Sequence, residues 1–152
     1  MIDDRAGHLR RPVEEAGDGA VVEDRAELLQ NFPASSNRVI GSAAEFISQR
    51  EWSDDEALVL VSRNYELDRD ALAAALKKGR AGYIGMIGSR RKVHRVFDAL
   101  KQVAPVEQLR AVYAPIGLDI GADSPAEIAL SVISEILQVL RKRKGGHLRG
   151  AP

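Results

Sequence analysis

Apolar positions along this chain switch repeatedly between two rhythms. Short, almost uninterrupted apolar runs occur at Ala20–Glu23 (AVVE), Arg38–Gly41 (RVIG), Ala57–Ser62 (ALVLVS) and Gly82–Gly88 (GYIGMIG). Runs of that length, rich in aliphatic residues and punctuated by Gly and polar residues, predict buried β-strands. Between them the spacing becomes helical. One helix is predicted from Ser42 through SAAEFISQR, and a second in ELDRDALAAALKK, where Leu67, Ala71, Leu72, Ala75 and Leu76 share a stripe. A third is predicted in RRKVHRVFDALKQ, with Val93, Val96, Phe97 and Leu100 aligned. Strands that alternate with helices and are apolar throughout predict a parallel sheet covered on both faces.

A long last helix is predicted from about Ser124 to Arg143, because Ser-Pro-Ala-Glu supplies a cap, a first-turn proline and a capping-box glutamate. Its positions Ile128, Val132, Ile136 and Leu140, widened by Ala129, Ile133, Leu137 and Val139, predict a buried stripe. Before it, Ala114–Ala129 (APIGLDIGADSPAEIA) reads as a rigid turn that delivers Asp119 and Asp123 close to the helix start. Residues 1–19 carry almost nothing apolar, and 145–152 (GGHLRGAP) are polar and glycine-rich, so a poorly ordered start and a flexible tail are expected around a domain at 20–144. No internal repeat or interdomain linker is visible.

Composition narrows the function classes. The chain has 152 residues, of which 45% are hydrophobic, enough for one core. Twenty-two Lys and Arg balance twenty-two Asp and Glu, so no global field draws the molecule to nucleic acid or to an anionic membrane, and any anion site must be local. There is no cysteine, which removes disulfides and thiolate chemistry, and the three histidines stand at unrelated positions. A metal centre is therefore not expected. No apolar run approaches the length of a membrane span and no signal-peptide core is visible, which predicts a cytoplasmic protein.

In an open parallel sheet, ligands bind at the carboxyl ends of the strands beside the helix N-termini that follow. Three such turns carry unusual residues. Glu23 and Asp24 end the first run, as acidic residues do where a ribose is held, although they serve equally as a solvated turn or cap. Ser62–Asp68 (SRNYELD) forms a polar loop in which Asp68 is expected to cap the next helix. The third turn, GSRRK at Gly88–Lys92, places Arg90, Arg91 and Lys92 where the helix macrodipole is already positive. A bound anion would offset that penalty: backbone N–H groups, the Ser89 hydroxyl and two guanidinium forks suit a phosphate. The competing reading is that Arg90 and Arg91 pair with neighbouring acids, Asp119 among them. His94 reads as an exposed helix residue, and Arg141–Lys144 as a solvated helix end.

Taken together, VVEDRAELLQNFP, YIGMIGSRRK and APIGLDIGADSPAEIALSVISEI resemble the carboxy-terminal Rossmann-type domain of the XdhC/CoxI family, from about Val22 to Leu140. The resemblance implies an α/β fold, Rossmann-like and doubly wound around a mostly parallel sheet. It implies an accessory factor for molybdenum hydroxylases of the xanthine dehydrogenase or CO dehydrogenase type, binding molybdenum cofactor (molybdopterin) during maturation and insertion. It does not imply catalytic turnover. The candidate cofactor-binding residues, read from the strand ends and helix starts, are Gly88, Ser89, Arg90, Arg91, Ser62, Glu23, Asp24 and Asp119; the implied partners are the target hydroxylase and, because this chain lacks cysteine, a cysteine desulfurase as sulfur source. Where the family opens with a strand and a glycine-rich turn ending in histidine, only Ala6-Gly7-His8 is similar, so the usual first strand is expected to be missing. Unpaired strand edges and a wide apolar last helix then predict a homodimer. Two alternatives remain on the same residues: an NAD(P)-binding oxidoreductase-like domain, disfavoured by the lack of a glycine fingerprint, and a ligand-free interaction module of a longer or paralogous accessory protein.

Overall fold

The structure is a computed structural model that describes residues 19–33, 36–79 and 81–149. The expectation for the chain's start lies outside these residues. The chain divides into two compact units, Met1–Ala43 and Ala44–Pro152.

In the first unit, β1 (Ala20–Glu23) leads through the short α1 (Ala26–Leu29) to β2 (Asn37–Ile40). The two strands pair in parallel, with Ala20 opposite Asn37 and Glu23 opposite Ile40. Leu29 is the buried residue of α1, while Ile40 remains 65% exposed. The next helix, α2 (Ala43–Gln49), spans the division and buries Ile47, whose carbonyl accepts from the Trp52 indole at 3.1 Å.

The second unit continues with β3 (Ala57–Leu60), α3 (Tyr65–Lys78), β4 (Tyr83–Met86), α4 (Arg90–Leu100), α5 (Val106–Arg110) and α6 (Pro125–Leu140). β3 and β4 pair in parallel with Leu60 opposite Met86, and Tyr113 adds an isolated parallel bridge at Gly85. Side chains alternate across a strand, so the two faces of β4 do different jobs. Met86 and Leu60 join Ala71, Leu72, Ala75 and Leu76 of α3 and Val93, Val96 and Leu100 of α4 in the buried core. On the other face the Tyr83 ring lies over Gly85 and stacks on Tyr113 with centroids 4.7 Å apart. A Cβ at Gly85 would stand 2.5 Å from Ile116 Cδ1 and 2.7 Å from the Tyr83 ring, so only glycine fits beneath them.

Helix ends follow their chemistry. Asn64 caps α3, accepting from the Leu67 amide at 3.0 Å, and Gly79 closes it in the left-handed region at φ 67°. Ser124 and Glu127 form the expected reciprocal capping box at α6, with Ser124 N donating to Glu127 Oε2 at 2.8 Å.

The structure corrects three expectations. In place of one sheet covered on both faces, the described residues form two two-stranded sheets, and only β4 is thoroughly buried. β3 has no neighbour beyond β4 among the described residues, so Val59 and Val61 stay 38% and 66% exposed. The last helix buries its apolar stripe only in part: Ile128, Val132, Ile136 and Leu140 are half-buried, its most buried residues are Ser131 and Glu135, and Ile133 and Leu137 are 56% and 50% exposed. The reason is polar. The Tyr83 hydroxyl and the Gly117 amide both donate to Glu135 Oε2, at 2.5 and 3.0 Å, and turn that face of α6 inward. Asp68, expected as a cap, is replaced in that role by Asn64. No helix among the described residues is long and apolar enough to cross a membrane.

Candidate functional site

At the carboxyl edge of the β3–β4 sheet, two loops and two helix N-termini come together. Ser62 follows β3, Gly88 and Ser89 follow β4, and α3 and α4 start from the respective loops. Ser89 caps α4, its hydroxyl accepting from the Lys92 amide at 3.3 Å. The amides of the first turn have no intrahelical acceptor, so this edge presents N–H donors outward.

The three cations that open α4 separate into two classes. Lys92 turns inward: its ammonium donates to the Ser62 carbonyl at 3.1 Å and forms an ion pair with Asp68. Asp68 is fully buried, and among the described residues its carboxylate meets the Lys92 ammonium and no hydrogen-bond donor besides. This pair ties the loop after β3 and the first turn of α3 to the first turn of α4. Gly88 makes room for it, since a Cβ there would lie 2.9 Å from Lys92 Cδ. Above the pair, the Arg95 guanidinium sits 4.4 Å from the Tyr65 ring centroid and joins the same two helices.

Arg90 and Arg91 are exposed, and neither has an ion-pair or hydrogen-bond partner among the described residues. The acid pairing considered for them, including the one with Asp119, does not form there. Asp119 lies exposed in the loop before α6. His94 is 80% exposed and pairs with Asp98, at 3.6 Å, as an ordinary surface helix pair.

Glu23 and Asp24 belong to the first unit. Glu23 Oε1 accepts from the Arg25 amide and the Arg25 Nε, both at 3.1 Å, which closes the turn after β1. The structure thus holds Ser62, Gly88, Ser89, Arg90 and Arg91 on one edge and shows Glu23 engaged within its own turn.

Two features went unread in the sequence. Asp68–Lys92 is one, separated by 24 positions and announced by no local pattern. The other is the buried Tyr83–Glu135 pair, whose only signal is a pair of polar residues, Ser131 and Glu135, four apart on an apolar helix. Burial above all, and then the bond to Glu135, pushes the Tyr83 hydroxyl far above the usual tyrosine range. The pair is structural, because Tyr83 is 1% exposed. A cavity of about 370 Å³ lined by Leu76, Gly82, Tyr83, Val112 and Tyr113 lies at the opposite, amino end of β4 and is remote from the arginines. Among the described residues no three His, Asp or Glu side chains converge as metal ligands.

Comparison with known proteins gives a consistent set of relatives. A family model described as the XdhC Rossmann domain matches residues 13–136. The chain is 33% identical, over 153 aligned positions, to the Escherichia coli (strain K12) protein named Uncharacterized protein YqeB, covering 93% of this chain and 27% of that one. It is 30% identical over 112 residues to a Bacillus subtilis (strain 168) protein described as a probable xanthine dehydrogenase subunit, covering 74% and 32%. A solved structure described as a xanthine dehydrogenase from Bacillus halodurans superposes with a TM-score of 0.67 at 25% identity, covering 82% of this chain and 36% of that chain. The chain therefore spans between 27% and 36% of the length of these relatives.

Proposed function

Because the chain belongs to the XdhC Rossmann-domain family, we propose that it serves as an accessory-factor domain for molybdenum hydroxylases, binding molybdenum cofactor for maturation and insertion. The names carried by two relatives, both xanthine dehydrogenase, supply the hydroxylase context. One structural observation carries the cofactor reading. Arg90 and Arg91 stand unpartnered, among the described residues, at the first turn of α4, where the macrodipole opposes them and where an anion would satisfy both.

The residues fit an anionic group. Ser89 and Arg90 offer backbone N–H groups, Arg90 and Arg91 offer guanidinium forks suited to phosphate oxygens, and Ser62 and Gly88 shape the edge beside them. These groups hold the phosphate of the pterin or of its nucleotide extension; the bound cofactor itself supplies the molybdenum chemistry. Lys92 positions the arginines without spending its own charge on the ligand, since Asp68 already neutralises it. The target hydroxylase receives the cofactor, a cysteine desulfurase provides sulfur that this cysteine-free chain cannot, and two copies act together.

An NAD(P)-binding oxidoreductase would need an acidic strand end at a ribose. Glu23 instead closes on Arg25. Thermal unfolding of the purified chain distinguishes the readings, with NAD or NADP and, anaerobically, with molybdenum cofactor. A ligand at 100 times its dissociation constant stabilises by about 2.7 kcal/mol. A shift with molybdenum cofactor alone is the expected outcome, and a shift with dinucleotide alone overturns the proposal.

A further inference from the structure

The apolar side chains of α6 do not all serve the core. Leu130, Ile133 and Leu137 are 59%, 56% and 50% exposed, with exposed Ala126 above them and Arg141 below. At roughly 100° per residue these five positions fall within an arc of about 80°, so they form a single stripe along the helix. Three large aliphatic side chains in line differ from the scattered single ones that a monomer surface ordinarily carries. The ends of the stripe are oppositely charged. Asp119 and Asp123 precede the helix, Arg141, Lys142, Arg143 and Lys144 follow it, and none of these side chains has a charged partner among the described residues.

We propose that α6 is the surface on which two copies of this chain meet, antiparallel about a two-fold axis at Ile133. A self-complementary contact of this kind sets each position before Ile133 against the position equally far after it on the second copy. Leu130 then stands opposite Ile136 of the second copy, one residue from its Leu137, and Ala126 stands opposite its Leu140. Ser124 and Arg141, which cap the two ends of α6, are nine and eight residues from Ile133, about 13 and 12 Å along the helix. Asp123 of one copy, just before its helix, therefore comes near the basic run Arg141–Lys144 that follows the helix of the other, at both ends of the contact. A parallel pairing would instead set acid against acid and base against base, and a neutral apolar partner would leave the charged ends unanswered. This contact gives the homodimer of the proposed function its interface, but it rests on α6 alone and is read without cofactor.

The absence of cysteine makes the test direct, because a single introduced thiol is unique. Ile133→Cys places two thiols at the axis and should give a disulfide-linked dimer on mild oxidation, whereas Lys101→Cys should not. In analytical ultracentrifugation of the full chain, Ile133→Glu should raise the dimer dissociation constant by about 100-fold, since the position is central to the contact. Arg143→Glu should weaken the dimer and Asp123→Arg combined with it should restore it. A wild-type chain that stays monomeric overturns the proposal, as does a dimer indifferent to Ile133→Glu or an Ile133→Cys variant that cross-links no better than Lys101→Cys. A monomer that still binds molybdenum cofactor would overturn the interface and leave the cofactor reading standing.

Discussion

Lys92 gives its two neighbours their meaning. All three cations at the start of α4 face the same unfavourable dipole, but among the described residues only Lys92 has an acid, and that acid is fully buried. Removing it leaves a partly buried ammonium without its partner. Asp68→Ala should therefore cost about 2 kcal/mol in urea unfolding, less than the roughly 3–5 kcal/mol of a wholly buried pair because Lys92 retains some solvent. Adding Lys92→Met should recover at least half of the loss; an additive penalty would contradict the pairing. The Tyr83–Glu135 pair makes a similar demand. Tyr83→Phe removes one donor from a carboxylate that keeps the Gly117 amide, so a loss of about 1–2 kcal/mol is expected in the same measurement. The sequence showed that GSRRK was anomalous, but not which cation was neutralised. That depends on Asp68, which lies on another helix, and on a glycine at 88 that lets the Lys92 stem pass.

At the level of elements, local chemistry was readable wherever it was self-contained. Four strands and the helices α2, α3, α4 and α6 stand where period and caps placed them, because strand runs, capping box and stripe are short-range signals. The short helices α1 and α5 were missed, since four or five residues carry too little periodicity to register. The inward face of α6 was misread for a different reason: burial there is decided by donors at Tyr83 and Gly117, which no helical periodicity in α6 reveals. The capping box offers a measurable consequence. Ser124→Ala should lower stability by about 1 kcal/mol, measured by thermal unfolding. Glu127, bonded to the amides of Ser124 and Asp123, is held below its ordinary value of 4.5. A depressed carboxyl stabilises the fold above its unfolded pKa, and that contribution is lost as pH falls through the lower folded value. Stability should accordingly fall on acidification below about pH 4.5 more steeply in the native chain than in Glu127→Gln.

Across the molecule, the fold class was legible and the pairing of its strands was not. β–α alternation points to an α/β fold on a parallel sheet, the resemblance of three motifs implies a Rossmann-type domain, and the family match and the structural superposition agree with both. The division into two two-stranded sheets depends on what borders β1 and β3, information that lies outside any strand's own composition. The cationic turn GSRRK, by contrast, is legible in the sequence as an anomaly, because three cations at a helix start break a rule that the chain otherwise obeys. The proposed function stands or falls with Arg90 and Arg91 holding an anionic cofactor. Its most direct test is anaerobic equilibrium binding of molybdenum cofactor to the native chain and to a folded Arg90→Glu, Arg91→Glu variant. Binding by the native chain and a loss of at least about 100-fold in the variant is the predicted result, as expected when two charge-assisted contacts become repulsive. Equal binding by the two proteins would contradict it.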